Sequence, residues 1–142
     1  MTWLNDYSHS VGIDGFNFVH KNCPNRTGGG VGLYITETLD FKIRADLSFD
    51  DIDVAKSLFI EISRPHGENI VGGVIYWPPN QRVGDFVSKH NELLEKISRE
   101  NKIRFIVGYF NLNLINFHHD QNNGELIDGL DSHMLFPFTA NL

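Results

Sequence analysis

The stretch IRFIVGYFNLN, residues 103–113, decides the fold because it joins an apolar strand to a polar turn. Its first half is rich in β-branched residues, which is the pattern of a strand covered on both faces of its sheet. Two asparagines, Asn111 and Asn113, follow a glycine and favour a turn. We therefore predict a buried strand from Ile103 to Val107 that runs directly into a turn.

A helix is predicted immediately before this strand. Its apolar stripe recurs at helical period and consists of Phe86, His90, Leu93, Leu94 and Ile97. Asp85 is a suitable N-cap for this helix, and the polar residues near Asn101 close it.

Working outward, the remaining apolar segments predict strands, listed here by residue number: 16–20, 31–36, 41–45, 58–62 and 70–76. Residues 46–53 read as an acidic loop, residues 64–69 as a hairpin loop, and residues 124–133 as a second, weaker helix. Runs of strands with interspersed helices predict an α+β architecture, either two layers or a sandwich.

Composition predicts one domain, residues 1–142, that is long enough to bury a core. No apolar run approaches the roughly 20 residues that a membrane span needs. The first ten residues lack the basic segment and apolar core of a signal peptide. A single cysteine, Cys23, offers neither an internal disulfide nor a metal cluster. We expect an intracellular protein with no membrane partner.

The net charge of −6 disfavours a nonspecific nucleic-acid binder, whose affinity would come from Lys and Arg side chains on phosphates. It does not exclude a nuclease, because a nuclease can hold phosphate through a metal ion that sits on carboxylates. Charge alone leaves both classes open.

Three strings together resemble a known family: residues 103–113, VIYWPPN at residues 74–80, and GGGVGLYI at residues 28–35. They resemble the endonuclease domain of non-LTR retrotransposons of the LINE type (jockey-like), within the endonuclease/exonuclease/phosphatase superfamily. The resemblance implies a partial four-layer α/β/β/α sandwich. It also implies Mg²⁺-dependent hydrolysis of DNA phosphodiester bonds, DNA as the partner, and a nuclear location if the chain functions in this way.

Two positions depart from the family strings. Trp77 stands where the family has an arginine, so a cation for phosphate is lost, and no nearby lysine is expected to replace it. Tyr109 stands where the family has the aspartate that positions the attacking water. A phenol with a pKa of about 10 is neutral at pH 7 and cannot act as the same general base. Loss of a general base typically costs about 10²–10⁴-fold in rate.

The resemblance gives roles to four other residues. Tyr76 would contact the scissile phosphate, Asn111 would orient the water, and Arg26 and Asn113 would contact nucleic acid. Each role has a structural alternative: a tyrosine at a strand end often packs its ring, and an asparagine in a turn often satisfies local backbone. Glu61 lies in a family strand, and its alternation could equally point it at solvent.

No metal ligand is assigned, because the family's first metal-binding glutamate and its late Asp-His pair have no counterpart. The sequence therefore predicts a truncated, catalytically inactive remnant that retains no Mg²⁺ and binds DNA weakly or not at all. Two alternatives stay open: an endonuclease that is active when completed by segments from elsewhere, and a noncatalytic interaction module on the same fold. We also expect a marginally stable chain, because missing strands would leave edges unpaired.

Overall fold

The computed structural model describes residues 12–21, 30–51, 55–78 and 83–109, together with Gly124, Asp128, Gly129 and Ser132. Within these residues, two β-sheets pack face to face and a helix covers the outer face of the larger sheet. The predicted α+β class is confirmed. No described helix is long and apolar enough to cross a membrane.

The smaller sheet is an antiparallel pair of strands, β1 (Phe16–Lys21) and β2 (Val31–Thr36). Successive side chains of a strand point to opposite faces, so each strand has an inner and an outer set of residues. Val19, Val31 and Leu33 pack inward against the larger sheet. Both strands confirm the predicted positions.

The larger sheet contains five strands in the described residues: β3 (Phe41–Ile43), β4 (Asp50–Asp51), β5 (Ala55–Ile62), β6 (Ile70–Tyr76) and β7 (Ile103–Tyr109). The order is β3-β5-β6-β7, and β4 pairs with β5. Strands β5 and β6 form the predicted hairpin around residues 64–69. The prediction of a plain loop over residues 46–53 is wrong, because backbone pairing with β5 turns Asp50 and Asp51 into a short strand.

Helix α1 (Val83–Arg99) connects β6 to β7 and allows these two strands to run parallel. Its predicted apolar stripe is confirmed, since Phe86, Leu94 and Ile97 are buried. The prediction that Asp85 is the N-cap is wrong: the helix begins at Val83, and Asp85 lies in its first turn. An acidic side chain there still favours the helix through the positive end of its dipole. After the helix, Asn101 takes a left-handed conformation with φ 51° and lets the chain turn into β7.

The larger sheet is buried on two sides by two different clusters. On the helix side, Phe59 and Ile75 pack with α1. On the other side, Leu58 and Tyr76 pack with the smaller sheet. Gly73 lies beneath the ring of Phe59, and a Cβ atom there would overlap that ring. The glycine in β6 therefore makes room for the largest fully buried side chain of β5.

Strand β7 differs from its prediction. The side chains of Ile103, Phe105 and Val107 are 50%, 43% and 61% exposed, whereas Ile106 packs against the helix-side core. The smaller sheet packs on β5 and β6, which leaves the same face of β7 uncovered within the described residues. The prediction of a strand covered on both faces is therefore wrong for this part of the molecule.

The second predicted helix falls mostly outside the described residues. The four residues described there, Gly124, Asp128, Gly129 and Ser132, are helical. The hydroxyl of Ser132 donates a hydrogen bond to the carbonyl of Gly129 at 2.9 Å.

Candidate functional site

The ends of β6 and β7 bring two of the predicted site positions together. The parallel register pairs Tyr76 with Tyr109 at the last residue of each strand. On the other side, the antiparallel register places Lys56 of β5 directly opposite Tyr76, and Asp50 of β4 opposite Lys56. Four strands thus contribute one residue each to a single row, which we call the tyrosine end of the sheet. The row consists of Asp50, Lys56, Tyr76 and Tyr109.

Tyr76 lies on the face that packs against the smaller sheet. Its side chain is 9% exposed and shares a cluster with Val31 and Leu58. The structural alternative for Tyr76 was ring packing at a strand end, and the structure shows this packing. A contact with phosphate stays a prediction for its hydroxyl.

Trp77 lies on the opposite face of the sheet and belongs to the helix-side core. It is 4% exposed, and its ring stacks on that of Phe86 with centroids 5.1 Å apart and planes 18° apart. Because consecutive strand residues point to opposite faces, Tyr76 and Trp77 serve different cores. Trp77 therefore packs α1 against the sheet, a role that the sequence strings did not show.

Lys56 is a second residue that sequence reasoning missed. Its side chain is 2% exposed, although a lysine is almost never fully buried without a partner. Register across the hairpin places Lys56 directly opposite Tyr76, on the face of the sheet away from Trp77. In the sequence, Lys56 was only one of three polar residues, with Ser57 and Glu61, in an otherwise apolar strand.

The other predicted site residues lie outside the described part of the chain. Arg26, Asn111 and Asn113 are not among the described residues, so their roles stay predictions. Tyr109 is described as the last residue of β7, two residues beyond the predicted strand, and the parallel register places it beside Tyr76.

The Mg²⁺ ion that the resemblance implies finds no ligand set among the described residues. Mg²⁺ is bound through carboxylate oxygens together with water and phosphate. In the described ranges, no group of three or more His, Cys, Asp or Glu side chains is placed to hold a metal ion. At the tyrosine end, the residue types are a phenol at two positions, a lysine and one carboxylate. These described residues do not fit the ion.

A second polar group lies at the other end of the sheet, where β6 and β7 begin. Glu61 is about 17 Å along β5 from Lys56, five residues at about 3.3 Å each. We call this group the charged cluster. Its members are Arg44, Asp46, Glu61, Glu100 and Lys102.

Glu61 is the centre of the charged cluster, and its side chain is 3% exposed. Arg44 Nη1 donates to Oε2 of Glu61 at 2.8 Å, and Lys102 Nζ donates to Oε1 at 2.9 Å. The amide of Asn69 also donates to Oε1, at 2.8 Å. The alternative that Glu61 points to solvent is wrong, since it shares the helix-facing side of β5 with Phe59.

Glu100, just after α1, links the cluster to the helix. It accepts a hydrogen bond from Lys102 Nζ at 2.7 Å and bonds from both terminal nitrogens of Arg44, one of them from Nη1 at 2.9 Å. Arg44 also donates to both carboxylate oxygens of Asp46 at 2.8 and 2.7 Å. Hydrogen bonds of the charged cluster therefore link the ends of β3, β5 and α1 to the start of β7.

The cluster shifts the pKa values of its members in the direction that keeps them charged. The hydrogen bond from Asn69, with those from Lys102 and Arg44, lowers the pKa of Glu61 to about 2. Arg44 is the main cause that lowers the pKa of Glu100 to about 2. The pKa of Lys102 is raised, first by Glu100. A buried carboxylate so fully engaged by cations has a structural role and is not available to a metal ion.

Comparison with known proteins supports the fold. No family model and no curated protein matches the chain. A solved structure, the endonuclease domain of TRAS1, a telomere-specific non-LTR retrotransposon, matches with a TM-score of 0.64 and 12% sequence identity over 85% of this chain. The match covers 53% of that structure, so the chain spans about half of its length. The likeness shows a mixed α/β fold of the endonuclease/exonuclease/phosphatase type.

Proposed function

We propose that this chain is a remnant of a Mg²⁺-dependent retrotransposon endonuclease domain that no longer hydrolyses DNA. The observation that carries the proposal is the register of β6 and β7, which pairs Tyr76 with Tyr109 at the end of the sheet. In the resemblance, the strand end at Tyr109 holds the aspartate that positions water. The fold likeness to a retrotransposon endonuclease domain supports the same assignment.

The chemistry of this position explains the loss of activity. A catalytic base must accept a proton from water near pH 7, and a carboxylate with an unperturbed pKa of about 4 is ionised there. The phenol of a tyrosine carries its own proton at this pH and offers a hydroxyl instead. Trp77 adds a second change, because its indole packs on Phe86 and brings no positive charge to a phosphate.

The proposal predicts no nicking of supercoiled plasmid by the purified chain in Mg²⁺, with a catalytically competent endonuclease as the positive control for the substrate. The variant Tyr109→Asp is expected to stay inactive, because Trp77 still stands where the family has an arginine and no group of three or more metal-ligating side chains lies among the described residues. Metal-dependent nicking by the unmodified chain that disappears in Asn111→Ala would overturn the proposal. Rescue by Tyr109→Asp alone would instead show that the rest of the site is intact.

A further inference from the structure

We draw no further inference here: the strongest candidate, the exposed apolar face of β7 at Ile103, Phe105 and Val107, lies beyond the part of the larger sheet against which the smaller sheet packs, and nothing in the described part of the chain shows what covers it.

Discussion

The two ends of the larger sheet differ in what surrounds their polar side chains. At the charged cluster, Glu61 and Glu100 each contact both Arg44 and Lys102, so that four charges from three strand ends and a helix end neutralise one another. At the tyrosine end, Lys56 and Tyr76 are buried side by side under the smaller sheet.

The two ends differ in their expected role: the charged cluster stabilises the sheet, and the tyrosine end is the one that the resemblance links to catalysis. Removing a member of a buried ion cluster leaves the charges of its partners uncompensated, so a substitution in such a cluster destabilises the fold. The tyrosine end corresponds to the catalytic end in the resemblance, where Trp77 and Tyr109 stand at the positions of the family strings' arginine and aspartate. The charged cluster thus joins several elements by ion pairs, whereas the tyrosine end places aromatic residues at the strand ends.

Placing an arginine at position 77, as in the strings that the chain resembles, should have the largest effect on stability. Trp77→Arg removes a buried ring from its stack on Phe86 and places a cation among apolar side chains. We expect the free energy of unfolding to fall by about 4 kcal/mol, a large part of a typical total of about 5–15 kcal/mol. Urea unfolding followed by circular dichroism measures it.

The control for this change is Trp77→Phe, which keeps an aromatic ring in the same place and should cost only about 1 kcal/mol. If Trp77→Arg is as stable as the unmodified chain, the side chain at position 77 does not stabilise the helix-side core. That result would contradict the packing role of Trp77 and with it the contrast between the two ends of the sheet.

Acid should weaken the charged cluster next. Glu61 and Glu100 have pKa values of about 2 when folded and about 4.5 when unfolded. The unfolded chain therefore binds more protons between these values, so stability is complete above pH 4.5 and decreases as pH falls through 2. Glu61→Gln should lower the free energy of unfolding at neutral pH by about 2 kcal/mol, because it removes charged hydrogen bonds.

The same variant should also flatten the dependence of stability on pH in this acid range, which urea midpoints at a series of pH values measure. Glu92→Gln is the matched control, since Glu92 forms an exposed pair with Lys96 at 3.3 Å and such pairs contribute little. A steep acid dependence that Glu61→Gln leaves unchanged would show that other carboxylates control acid unfolding.

The smallest effect on stability is expected on β7, which runs from one end to the other. Val107→Thr changes a side chain that is 61% exposed and should alter the free energy of unfolding by less than about 0.5 kcal/mol. It should raise solubility, because it interrupts an apolar row on β7, the last strand of the sheet in the described part of the chain. Light scattering at increasing protein concentration measures this.

Val71→Thr is the contrasting variant, since Val71 is 1% exposed and a buried hydroxyl costs stability. If Val107→Thr destabilises the chain as much as Val71→Thr does, the exposed face of β7 is covered in solution. That result would favour the alternative in which further polypeptide completes the domain.

The sequence by itself determined most of the elements. Alternation in β1 and β2 and the helical stripe of α1 reflect a burial pattern that repeats along the chain, so they can be read locally. The family strings likewise predicted the fold type, which the likeness to the TRAS1 endonuclease domain supports. The departures at Trp77 and Tyr109 were also visible in the sequence, because each is a single residue in a recognisable string.

Only the tertiary structure decided which residues share a site. Lys56 and Tyr76 are twenty positions apart, and Arg44 and Glu100 are 56 apart, so their contacts depend on strand register and on where α1 ends. The exposure of β7 could not be predicted from the sequence either. Its apolar residues show that the strand could be buried, whereas the width of the smaller sheet decides whether it is buried. The spacing of apolar residues along the chain determines which face of a helix or strand can be buried. The pairing of elements that are distant in the sequence determines which residues pack against that face.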